Sequence, residues 1–99
     1  MSRFDIFENQ NGAGYLLDVQ SDLLSGLNTR VVVPLLPKPS APSPAQRLNP
    51  IFNIEGQEVV MATQYMAAVP ESELRFGAGS LVEQQDEIST ALDMLFLGF

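Results

Sequence analysis

The sequence contains no cysteine, no histidine and no tryptophan. Without cysteine there is no disulfide framework and no thiolate metal site. Without histidine the chain lacks the side chain most used in acid–base work near neutral pH, which is also the commonest metal ligand. Chemistry would have to rest on carboxylates, arginine or hydroxyls. Positive charge is also scarce. Arg3, Arg30, Lys38, Arg47 and Arg75 stand singly against twelve acidic residues, for a net charge of −7. Phosphate-backbone binders need clustered cations, so no direct nucleic-acid contact is expected, and a basic protein partner is favoured. No apolar run approaches the ~18 residues needed to span a bilayer. The opening "MSRFDIFENQ" carries Asp5 and Glu8 and has no apolar core, so it does not read as a signal peptide. "NGAG" at 11–14 lacks the Lys-Ser/Thr of a phosphate loop and reads as a hairpin turn. The acidic pairs Glu55/Glu58 and Asp86/Glu87 read as solvated faces. These absences predict a cytoplasmic protein without cofactor or metal.

What remains is apolar and β-rich. Apolar residues make up 45% of 99 residues, enough for one domain over residues 1–99. A chain this short hides only about 60–65% of its unfolded surface, so association with a second copy is expected. "RFDIF" (3–7) and "YLLDV" (15–19) flank a turn-dense stretch and predict a hairpin. "QSDLLSGLNT" (20–29) is turn-like, with one apolar knot at Leu23-Leu24. "RVVVPL" (30–35) predicts a strand buried on both faces, with Pro34 at its end or at a bulge. "PKPSAPSPAQRLNP" (37–50) holds five of the seven prolines and predicts an extended surface loop with a short turn at 45–48. "IFNIEGQEVVMAT" (51–63) predicts a hairpin turning at Glu55-Gly56. "ESELRF" (71–76) reads as an edge strand and "GAGS" (77–80) as a breaker.

A helix is predicted over about 81–97. Ser80 can cap it, and Glu83 follows at capping-box spacing. Val82, Gln85, Ile88, Leu92, Leu95 and Phe99 recur on one face. Glu83, Asp86 and Glu87 lie near the positive end of the helix dipole. Gly98 can close the helix in a left-handed conformation. Met94, Phe96 and Leu97 are apolar on other faces. The run "DMLFLGF" (93–99) must therefore be buried in the domain, in a partner, or in both. By this reading Leu92, Leu95 and Phe96 are mostly core, and Leu97 and Phe99 mostly are not.

Three blocks, "LLDVQSDLLSGLNTRVVVPL" (16–35), "PIFNIEGQEVVMATQYMAAVP" (50–70) and "EISTALDMLFLGF" (87–99), together resemble the CcdB family of toxins. The resemblance implies a mostly β fold of small bent antiparallel sheets with a C-terminal α-helix, the SH3-like barrel of the CcdB/Kid toxin type. It implies a homodimer that binds the A subunit of DNA gyrase and traps its cleaved-DNA complex, a poison and not an enzyme. A partly disordered cognate antitoxin would neutralise it. The family's target-binding tip, Trp-Gly-Ile preceded by Asn, corresponds to Leu97, Gly98, Phe99 and Asp93, and paired aliphatics of its loop correspond to Leu23 and Leu24. The rival expectations are a ribonuclease toxin of the same fold, and a non-toxic homologue that keeps only antitoxin binding.

Overall fold

The computed structural model describes residues 1–99. Strands β1 (Asp5–Glu8) and β2 (Tyr15–Asp18) form the expected hairpin, with Ile6 opposite Leu17. β3 (Thr29–Pro37) runs antiparallel to β2 and is the long central strand. β4 (Ile51–Ile54) and β5 (Gln57–Met61) form the second expected hairpin. Its two-residue turn places Glu55 and Gly56 at positive φ, the twist that suits a tight antiparallel return. Two short strands follow, β6 (Ala67–Pro70) and β7 (Gly77–Ser80). The chain closes with α1 (Gln85–Leu97).

The strand order is β4-β5-β3-β2-β1-β7, with β6 also paired to β3. One edge of β3 is thus shared: Thr29–Val32 pair with β6 and Leu35–Pro37 with β5. A strand that serves two partners in succession bends the sheet, and the result is a curled half-barrel with the C-terminal helix packed on it. Inside lie Leu17, Val33, Leu35, Val59 and Met61, with Ile88 and Ala91 of α1, all fully buried. Burying each such large side chain contributes roughly 1.5–3 kcal/mol. No helix is long and apolar enough to cross a membrane.

Several expectations need correction. Pro34 lies inside β3, not at its end or at a bulge. Its carbonyl accepts from Ala62 N–H on the shared edge. Within an antiparallel strand a residue's N–H and C=O point to the same edge. The donor that proline lacks therefore falls at the junction between β6 and β5. Residues 71–76 form no strand; Glu71–Glu73 is a 3-10 turn. The "GAGS" stretch is the strand instead, pairing with the free edge of β1 across a register shift at Ile6/Phe7. Gly79, at φ +120, adopts a conformation open to glycine that such an irregular pairing uses.

The helix also starts later than expected. A 3-10 turn at Val82–Gln84 precedes it, and Ser80 Oγ accepts from Val82 N–H there, without a capping box. The turn breaks the 3.6-residue phase. Val82 is consequently exposed while Leu81 packs into the core. Phe96, expected in the core, is 67% exposed. The proline-rich segment does carry its turn, with Asn49 N–H donating to Ala45 O. Buried Asn49 anchors it further through Met61 O, Gln64 Oε1 and Ala45 N–H.

Candidate functional site: an uncovered apolar tip and groove

The last turns of α1 carry more apolar surface than the sheet covers. Ile88 and Ala91 face the core, and Leu92, Met94 and Leu95 are half-buried. Leu97 is 60% exposed and Phe99 76%. Gly98 stops the helix at φ +82, its N–H donating to the Asp93 and Met94 carbonyls. Nothing lies within 4 Å of where a Cβ would stand, so the cost of a side chain there comes from the backbone conformation. Asp93 is exposed.

Beside the helix lies a groove of about 440 Å³ lined by Arg3, Val19, Gln20, Ser21, Leu24, Val31, Met66, Leu92 and Phe96. The fold therefore brings Leu24, from the loop after β2, together with Leu92 and Phe96 of α1. Leu97, Gly98, Phe99 and Asp93 do not line the groove. Leu23 points away from the body, 94% exposed.

Polar bonds hold this loop in place. Asp22–Leu24 form a 3-10 turn whose first N–H groups are met by Ser21. Arg3 N–H donates to Asp22 Oδ1 at 2.8 Å, and Arg3 Nε donates to Val19 O. Beneath the loop, Arg30 donates to Asp18 through Nε at 2.9 Å and Nη2 at 2.6 Å, and both side chains are buried. Asp18 also accepts from Gln20 N–H. Burial pushes the Asp18 carboxyl above its ordinary value, and the bonds from Arg30 and Gln20 oppose that without cancelling it. The "DVQSD" and "RVVV" runs did contain a signal for this network: a charged residue at the edge of each apolar strand needs a buried partner. Gln20 and Phe96 gave no comparable signal.

A second, more polar cavity of about 370 Å³ sits between the proline-rich loop and the start of α1. Arg47, Pro50, Asp86, Glu87 and Thr90 line it. Its two carboxylates, one guanidinium and one hydroxyl make it the place where acid–base groups and a cation share a concavity.

The curled half-barrel with its C-terminal helix is the fold of a small β-barrel protein. The family model described as CcdB protein matches residues 3–98. The chain belongs to the CcdB family, the toxin side of toxin–antitoxin systems. Solved structures share its fold over its whole length. One is an endoribonuclease from Mycobacterial species, with a TM-score of 0.77, 16% identity, and coverage of 100% of this chain and 94% of the other. Another is an endoribonuclease in complex with its cognate antitoxin, also from Mycobacterial species. There the TM-score is 0.76 at 17% identity, covering 100% of this chain and 98% of the other. The expectation that the chain is not an enzyme is corrected by these structures. The same half-barrel is an enzyme scaffold in both, so the lack of histidine does not remove catalysis from the readings to be tested.

Proposed function

We propose that this chain is a toxin acting as a homodimer, which docks the tip of α1 and the Leu23–Leu24 loop on the A subunit of DNA gyrase and traps the enzyme on cleaved DNA. The observation that carries this reading is the uncovered apolar set Leu23, Phe96, Leu97 and Phe99. Large apolar side chains left exposed together on a small protein suit a partner site. Leu97 stands where the resembled family has Trp, and keeps the apolar character with less area. Asp93 stands where it has Asn, and exchanges an amide that donates and accepts for an acceptor-only carboxylate. A cognate antitoxin, flexible when free and carrying basic groups, suits the protein's net charge of −7. The experiment is expression in a sensitive bacterium with a count of gyrase-linked, double-stranded DNA breaks. Growth arrest without such breaks removes the gyrase reading.

A second reading is favoured by the fold shared with endoribonucleases. In that reading RNA cleavage belongs to the polar cavity. Glu87 or Asp86 takes the proton of the attacking ribose hydroxyl as its oxygen bonds the phosphorus, the phosphorus bond to the leaving 5′-oxygen breaks, water supplies that oxygen's proton, and Arg47 holds the scissile phosphate. The lining carries two negative charges against one positive, which repels a polyanion, and this places the tip reading first. Digestion of labelled RNA by the purified protein, with and without antitoxin, separates the two. Cleavage that is lost in Glu87→Gln and Arg47→Ala supports the cavity.

A further inference from the structure

The loop between β2 and β3 exposes Leu23, Leu24 and Leu27, and its 3-10 turn buries no residue at all. Apolar packing therefore cannot be what fixes its shape. Of its three leucines only Leu24 lines the groove beside α1, while Leu23 is almost fully exposed. The side chain of Gln20 holds the turn in that posture. It is buried, and both ends of its carboxamide are engaged. Its Oε1 accepts from Val31 N–H of β3 at 3.0 Å, and its Nε2 donates to Leu24 O at 3.3 Å. Its backbone N–H donates to the carboxylate of Asp18, which Arg30 holds rigid. The chain of bonds runs from the buried ion pair, through Gln20, to the backbone of the loop.

We infer that Gln20 is a positioning residue: its carboxamide straps the Asp22–Leu24 turn to β3 and so holds Leu23 outward, and Leu24 at the groove, for the partner. This rests on the proposed docking role of those leucines. It assigns the shape of that part of the docking surface to a residue that the partner itself need not touch. Glutamine suits the task because one group must accept on one side and donate on the other. Glutamate would keep the acceptor for Val31 N–H and lose the donor to Leu24 O.

Amide hydrogen exchange and affinity for purified gyrase A subunit test the strap together. Leu24 N–H donates to Ser21 O and Leu27 N–H to Leu24 O, so both amides report on the turn. Ala62 N–H, bonded to Pro34 O, reports on the sheet. In Gln20→Ala and in Gln20→Glu the Leu24 and Leu27 amides should exchange about tenfold faster, as expected for one lost hydrogen bond in a locally opening segment. The Ala62 amide should keep its rate. Affinity for gyrase A should fall about as much, and Gln20→Ala should lower it no further in a Leu24→Ala background. Unchanged loop amides in both variants overturn the strap, as does equal acceleration of Ala62, which would make Gln20 a general stability residue. An equal affinity loss with and without Leu24 places its action elsewhere and also overturns it. If Leu24→Ala alone binds gyrase A like the parent, the docking reading fails, while the exchange data still report whether the strap exists.

Discussion

Arg30 and Asp18 are buried side by side, and the pair is worth little unless both members stay. Removing the cation leaves an uncompensated buried carboxylate. Arg30→Met should destabilise the protein by about 3–5 kcal/mol near neutral pH. Asp18→Leu in the same chain should recover most of that, since an apolar pair leaves no orphan charge. The pH dependence has a definite sign. Burial already raises the Asp18 carboxyl above 3.8, and losing Arg30 removes the main influence that lowers it. A native state that holds the proton more tightly than the unfolded chain gains stability as pH falls through that raised range. The penalty of Arg30→Met should therefore shrink from pH 7 toward pH 4. Urea titrations across that range check it, and a penalty constant with pH would show that Asp18 keeps its charge without Arg30.

Within α1 two kinds of position lie about two and a half turns apart. Ile88 is fully buried against the sheet, and Ile88→Ala should cost about 2–5 kcal/mol as a core truncation. Leu97 is mostly exposed, and Leu97→Ala should stay within about 0.5 kcal/mol while abolishing growth inhibition. Thermal melting paired with a plating assay reads both. A Leu97→Ala protein that melts like Ile88→Ala would return the tip to the core. This difference was only partly legible in the sequence. Ile88 and the Gly98 stop follow from apolar spacing and from glycine's access to positive φ. Phe96 looked like core because its spacing cannot say where the sheet ends. The two hairpins were legible because turn residues punctuate alternating apolar runs. β7 was not, since "GAGS" has no large or β-branched side chain to signal a strand and pairs with the free edge of β1. Gln20 was likewise hidden, because a polar residue in a polar loop looks the same whether it is a strap or solvated.

Across the whole molecule, the groove beside α1 and the exposed helix end are more apolar surface than 99 residues cover for themselves. A second copy is the occupant that the family resemblance implies for part of it. Sedimentation at low micromolar concentration should show a dimer, and a monomer alone would leave the groove to the target or the antitoxin. The net charge of −7 does not oppose this, because no acidic side chain lines the groove.

The position of Pro34 also bears on how the chain emerges during synthesis. β1, β2 and β3 can pair as soon as residue 37 is made, but the other edge of β3 waits for β5 and β6, which end at Met61 and Pro70. For that interval a nine-residue apolar strand shows an open edge, the kind of edge that recruits other nascent chains. Pro34 interrupts that edge halfway with a missing donor, so no foreign strand can pair along its full length. Pro34→Val should fold to the same structure yet form more insoluble protein when refolded at high concentration, measured as the soluble fraction against concentration. An unchanged soluble fraction would confine the role of Pro34 to the finished fold.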